Sequence, residues 1–129
     1  MKAIVNTTVL PLFSAPGWEN TVEDEVLYGM VVEILEEKAP GWYHVRTHYR
    51  YEGIVSADGL ILDQDAVALW EGLPKKIVRN KNFGNILSAP KVQGWHLECL
   101  TRGSVVSPVG EPEKGWQKVR LADGREGYI

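Results

Sequence analysis

The stretch G-W-Y-H-V-R at residues 41–46 recurs as G-W-Q-K-V-R at residues 115–120. Each copy is followed by Glu-Gly and two further β-forming residues, as E-G-I-V at 52–55 and as E-G-Y-I at 126–129. The two stretches lie 74 positions apart, and this one spacing aligns residues 13–55 with residues 87–129 without a gap. Agreement over this length without an insertion predicts two copies of one structural unit.

Identical residues are spread along both copies and are not confined to the quoted motif. The S-A-P sequence at 14–16 aligns with S-A-P at 88–90, and the V-V pair at 31–32 aligns with V-V at 105–106. Asn6 and Asn80 extend the match upstream. This distribution predicts that the shared residues specify a fold, and that residues differing between the copies are the better candidates for function.

The residue pattern of each copy is typical of β-strands. The segments 26–37 and 104–110 are rich in β-branched residues, whereas 42–47 and 116–121 alternate between apolar and polar residues. Turn residues follow, including A-P-G at 39–41 in the first copy and A-D-G-R at 122–125 in the second. The fold class is therefore predicted to be all-β.

Comparison of the copies assigns the two faces of the strand that follows each Gly-Trp. Val45 and Val119 occupy one parity and are expected to point inward, whereas Arg46 and Arg120 occupy the other and are expected to point outward. Trp42 and Trp116 begin their strands and are interpreted as mainly structural, because a side chain there can fold over the end of a small β-structure.

The segment between the copies has a different character. Asp63 or Asp65 can cap a short helix that Gly72 and Pro74 would end. Its apolar residues are Ala66, Val67, Leu69 and Trp70. A unit of about 60 residues buries only about 60% of its unfolded-chain surface, so two such units are expected to pack together. Trp70 is predicted to lie between them as a wedge.

Composition and charge exclude several classes of partner. The net charge of −3 and the isoelectric point near 5.6 provide no basic field for phosphate backbones or anionic lipids, so neither nucleic acid nor membrane is an expected partner. The basic run at 75–81 is interpreted as a solvated boundary. The N-terminal segment matches neither a signal peptide nor a membrane span, so a cytoplasmic protein is expected if Met1 is the native start.

The cysteine and the histidines of this chain do not indicate a catalytic or metal-binding site. Cys99 is the only cysteine, and it is not expected to act as a nucleophile with His96 because no helix N-terminus is predicted to lower its pKa. The three histidines, with His44 and His48 in the first copy, lack metal-binding spacing. We expect neither a catalytic residue, nor a metal, nor a cofactor.

The duplicated unit resembles the bacterial SH3-like domain, SH3b, in its V-V strand, its G-W-x-x-V-R, its hairpin and its final Gly strand. The resemblance implies two tandem small SH3-like β-barrels at 1–63 and 78–129, joined by a connector at 64–77 that can form a helix. The family's closing 3₁₀ turn and last strand match residues 56–59 and 60–62. The second copy reaches Ile129 before either, so we expect it to be truncated and the chain to be an N-terminal piece of a longer protein.

Tandem SH3b units at an N-terminus are similar to the first part of NlpC/P60-family cysteine peptidases, which cleave murein peptides. The resemblance implies a non-catalytic module that gates or binds a murein peptide or peptidoglycan fragment for a C-terminal Cys-His domain of the same native chain. The family's substrate-binding tyrosine, which helps hold a free L-Ala amine, falls on Tyr51, with Tyr49 and Glu52 beside it. The second copy has Arg125 and Asp123 at the two tyrosine positions.

Alternatives to this interpretation stay open at the level of sequence. Tyr49 and Tyr51 could be plain cross-strand packing residues, and the acidic run at 23–25 could be a solvated loop. The module could also be a stand-alone adaptor that binds peptidoglycan or a protein. A reader of proline-rich peptides would require Tyr49, Tyr51 and Trp42 to converge on one surface.

Overall fold

The computed structural model describes residues 1–79 and 83–129, so the last two residues of the basic run at 75–81, which include Asn80, lie outside the described residues. The described chain consists mainly of short antiparallel strands in two sheets, with one α-helix between them in sequence. The all-β fold class is thus confirmed. Across the part of the chain that is described, no helix is long and apolar enough to cross a membrane.

The first sheet has seven strands and the second has six. The strands of the first sheet are β1 (Lys2–Val5), β2 (Val9–Phe13), β3 (Val22–Leu27), β4 (Val31–Ala39), β5 (Trp42–Arg46), β6 (Glu52–Ser56) and β7 (Leu60–Ile61). A 3₁₀ turn, Ala57–Gly59, joins β6 to β7, as expected. Helix α1 (Gln64–Gly72) follows. The strands of the second sheet are β8 (Lys76–Ile77), β9 (Phe83–Leu87), β10 (His96–Thr101), β11 (Val105–Pro108), β12 (Lys118–Arg120) and β13 (Glu126–Tyr128).

The six strands of the second sheet follow the order of the first six strands in the first sheet, which supports the duplication; β7 has no counterpart among the described residues of the second copy. The order is β3-β2-β6-β5-β4-β1-β7 in the first sheet and β10-β9-β13-β12-β11-β8 in the second. Among the described residues no pairing joins the two edges of either sheet, so the predicted barrels are not seen as closed sheets.

The spacing between the copies is not uniform along the chain. Strands β2 and β3 recur as β9 and β10 at the predicted spacing of 74. In the first strand of each sheet, however, Ile4 pairs with Val31 and Ile77 pairs with Val105. Ile77 is therefore the equivalent of Ile4, and these two residues are 73 positions apart. One extra residue therefore lies between β8 and β9 compared with the segment between β1 and β2.

The glycines of the repeated motif have two structural roles. Gly41 and Gly115 adopt φ values of 78° and 82°, a left-handed conformation that favours glycine at the turn before β5 and β12. At Gly53 and Gly127, an added Cβ would lie 2.8 Å from Leu12 and 2.6 Å from Ile86, which are equivalent residues. The Glu-Gly of each copy thus permits close approach of two strands.

The predicted faces of β5 and β12 are confirmed. Val45 and Val119 are fully buried. Arg46 lies 3.4 Å from Glu52, and the equivalent Arg120 lies 3.1 Å from Glu126. The shared Arg and Glu therefore form an equivalent cross-strand ion pair in each sheet.

Two segments differ from the prediction. The region 26–37 is not one strand, because β3 ends at Leu27 and β4 begins at Val31, with Gly29 (φ 82°) in the turn between them. The acidic run at 23–25 lies in β3 and not in a loop. Because β3 is an edge strand, its charged side chains can face water without loss of pairing to β2.

The helix joins the two sheets through one apolar core. The Asp63 carboxylate caps α1 by accepting the N–H groups of Asp65 and Ala66 at 2.9 and 3.1 Å. Trp70 is 2% exposed, and its indole N–H donates to the Gly29 carbonyl at 2.8 Å. It shares a cluster with residues of both copies, which confirms its predicted position. The described members of this buried cluster are Ile4, Tyr28, Val67, Trp70, Val78, Ile86, Leu100, Val106, Val119, Leu121 and Ala122.

Tyr28 links the copies through both ends. Its carbonyl accepts the Val105 N–H at 2.8 Å, and its hydroxyl accepts the Ala122 N–H at 3.0 Å. Burial raises the pKa of Tyr28 to about 12.

We expect Tyr28→Phe to lower the free energy of unfolding by about 1–3 kcal/mol, because the buried Ala122 amide loses its acceptor. Folded Tyr28 keeps a proton that the unfolded chain loses from about pH 10, so wild-type stability falls between pH 10 and 12. The difference between wild type and variant should therefore be largest below pH 10 and shrink above it. Urea denaturation across this range measures both effects. A difference that is absent at pH 7, or constant with pH, would contradict the assignment.

Candidate functional site

The candidate site is the tip of the hairpin between β5 and β6. The Thr47 N–H donates to the Tyr51 carbonyl at 2.8 Å, and the Thr47 hydroxyl accepts the Tyr51 N–H at 3.0 Å. Thr47 is buried, and Arg50 completes the turn in a left-handed conformation (φ 66°). This hydrogen bonding fixes the tip while leaving Tyr49 46% and Tyr51 37% exposed.

Tyr49 is tied to the edge strand by its hydroxyl. The phenol O–H donates to Asp24 Oδ2 at 2.7 Å, with the Glu25 carbonyl 3.2 Å away. Burial, followed by the hydrogen bond to Asp24 and its charge, raises the pKa of Tyr49 to about 12. The His48 ring packs edge-on against Tyr49 at 4.9 Å. These contacts favour a positioning role for Tyr49, because its hydroxyl already has a partner.

Tyr51 has the freer hydroxyl of the two. Within residues 1–79 and 83–129, its phenol oxygen makes no hydrogen bond to another side chain or to the backbone. The exposed carboxylates of Glu23 and Glu25 lie on the edge strand that holds Tyr49. A phenol oxygen can accept a hydrogen bond from an ammonium group, and negative charges on the same face of the protein would attract that group.

Glu52 is engaged by neighbours on its own sheet. Its carboxylate lies 3.0 Å from His44 Nε2 and 3.4 Å from Arg46. Glu126 is held in the same way by Lys118 and Arg120, at 3.4 and 3.1 Å. The pairing of Glu52 is therefore a feature of both copies, unlike the two tyrosines.

The equivalent hairpin tip of the second copy contains ion pairs in place of phenols. Arg125 pairs with Glu98 at 2.5 Å and with Asp123 at 2.8 Å. Glu98 occupies the position of Asp24, so an acidic residue on the edge strand holds the hairpin tip in both copies. Because the second tip uses its charges internally, it offers no counterpart to the exposed phenol of Tyr51.

Several residues considered from the sequence are not brought to this tip. Trp42 begins β5 at the end opposite the hairpin and packs against Phe13, so it does not converge with Tyr49 and Tyr51. Cys99 is exposed on the edge strand β10 and lies in no helix. The hydrogen bond between Tyr49 and Asp24 was not predicted from the sequence, because the two residues are 25 positions apart.

Comparison with known proteins identifies relatives that are longer than this chain. No family model matches the sequence. It is 33% identical over 132 residues to Dipeptidyl-peptidase 6 of Lysinibacillus sphaericus, covering 100% of this chain and 48% of that protein. The fold is also similar to the crystal structure of an NlpC/P60 family protein from Bacillus cereus, with a TM-score of 0.79 and 14% identity. That match covers 100% of this chain and 54% of the Bacillus cereus chain.

The chain spans about half the length of these relatives. At 14% identity, the likeness to the Bacillus cereus protein shows the fold alone. The sequence likeness to a peptidase extends over every element described above, including the tyrosine hairpin.

Proposed function

We propose that this chain is a non-catalytic module of two SH3b units, at 1–63 and 78–129, that binds and gates murein peptides for an NlpC/P60 cysteine peptidase domain of the same native chain. The observation that carries the proposal is that the whole chain matches less than half of a peptidase. The remainder of such a relative has room for a separate catalytic domain. The strand order shared by six strands of each sheet supports the tandem units.

The proposed substrate contact is the free amine of the peptide's N-terminal L-Ala. Tyr51 would accept a hydrogen bond from the ammonium group, and its ring would pack against the alanine methyl group. Tyr49, held by Asp24, positions the tip. Glu52 adds negative charge close by, partly offset by Arg46.

Binding of the tripeptide L-Ala-γ-D-Glu-diaminopimelate to the chain itself tests this proposal. We expect saturable shifts of the amide resonances of residues 47–52 in nitrogen-edited NMR spectra. Tyr51→Phe should weaken binding at least about tenfold, because a hydrogen bond to a charged group is worth about 1.5–3 kcal/mol.

The matched control ligand is the same tripeptide with its amine acetylated, which removes the positive charge. Wild type should bind the acetylated peptide no better than Tyr51→Phe binds the free one. Equal binding of the two peptides, or identical affinities of wild type and variant, would sink the tyrosine assignment. Absence of any tripeptide binding would favour the stand-alone adaptor.

A further inference from the structure

The loops that follow β2 and β9 differ in a way that leaves one groove open. In the first copy, S-A-P-G-W-E-N (14–20) places Trp18 edge-on against Phe13 and Trp42, with ring centroids 5.4 and 5.3 Å away. Phe13 and Trp42 also pack edge-on at 5.7 Å. Trp42 is thus covered by an aromatic side chain from its own copy.

Among the described residues of the second copy, no aromatic ring packs edge-on against Trp116, and the loop residue Trp95 is 82% exposed. The residue equivalent to Trp42 is Trp116, and the position of Trp18 is taken by Val92, which is 77% exposed. A cavity of about 550 Å³ lies against Trp116 and is also lined by Pro90, Gly110, Glu113, Lys118 and Tyr128. We call this cavity the Trp116 groove.

The walls of the Trp116 groove are held by hydrogen bonds. Glu113 and Trp116 exchange two backbone hydrogen bonds, both at 2.8 Å. The buried Gln117 amide donates to the carbonyls of Val109, Gly110 and Lys118 at 3.3, 3.2 and 2.8 Å. A groove whose walls are fixed before binding loses little conformational entropy when it is filled.

We propose that the Trp116 groove binds a polypeptide segment of a partner protein that presents an aromatic side chain, of the kind Trp18 presents to Trp42. The first copy shows which group this position accepts: an indole in edge-to-face contact, delivered by a Pro-Gly turn. Aromatic pairs of this geometry are stabilised beyond their buried area. The mixed rim, with Glu113 and Lys118, suits a polar peptide backbone around the ring.

The probe is the capped peptide Ser-Ala-Pro-Gly-Trp-Glu-Asn-Thr, the sequence of residues 14–21. We expect it to shift the amide resonances of Gly110, Lys118 and Tyr128 saturably. The same peptide with alanine in place of tryptophan should not. Val92→Trp restores the covering ring and should weaken binding at least about tenfold. Lys91→Ala, an exposed neighbour, is the matched control and should bind as wild type does.

Several outcomes would overturn the proposal. The first is that millimolar peptide causes no saturable shifts. The second is that a folded Val92→Trp variant binds the peptide as well as the wild type does. The third is that an N-acetylglucosamine oligomer, but not the peptide, shifts the resonances of the Trp116 groove. Self-association in sedimentation that is lost in both Trp18→Val and Val92→Trp would identify a second copy as the occupant instead. The murein-peptide proposal concerns the first copy's hairpin, so either proposal can fail without the other.

Discussion

Gly29→Ala is expected to lower the free energy of unfolding by about 3–5 kcal/mol. Gly29 has φ 82°, and a Cβ atom there would lie 2.0 Å from the Val105 carbonyl oxygen. This oxygen belongs to the backbone of the second copy, so it cannot move aside without opening the junction between the copies. Chemical denaturation at pH 7 would measure the loss as a lower midpoint.

The matched control is Gly41→Ala. Gly41 has a similar φ of 78°, but a Cβ atom there would meet nothing within 4 Å. Its substitution therefore adds only the cost of a left-handed alanine, about 1–2 kcal/mol. Equal losses for the two variants would show that the backbone conformation, and not the contact between copies, makes glycine necessary at position 29.

Trp70→Ala is expected to lower the free energy of unfolding by about 3–5 kcal/mol. The substitution removes a 2% exposed indole from the core that both copies share. It also leaves the Gly29 carbonyl without the N–H donor now 2.8 Å away. The experiment is equilibrium urea unfolding, with the two sheets expected to unfold together in the wild type.

Leu69→Ala provides the control on the same helix. Leu69 is 62% exposed, so its truncation should change stability by less than about 0.5 kcal/mol. Trp70→Phe keeps much of the buried ring while removing the N–H, and should fall between the two. A loss below about 1 kcal/mol for Trp70→Ala would disprove the wedge role.

The parts of the fold that could be predicted from sequence are those with local causes. The alternation around Val45 and Val119 predicted buried positions, and Asp63 was one of two predicted helix caps. The hairpin tyrosines were found because the two copies differ there. The hydrogen bond of Tyr49 to Asp24 could not be predicted, because it depends on how the edge strand β3 lies beside the hairpin.

By itself, the sequence determined that this protein is β-rich and duplicated, because side-chain periodicity and turn residues act over a few neighbours and recur at one spacing. Only the tertiary structure decided what the differences between the copies do. Asp24 accepts a hydrogen bond from Tyr49, whereas the equivalent Glu98 pairs with Arg125. Trp42 packs against Trp18, whereas the equivalent Trp116 lines a cavity. These contacts join residues distant in sequence, and their free energy depends on distances that exist only once the sheets have formed.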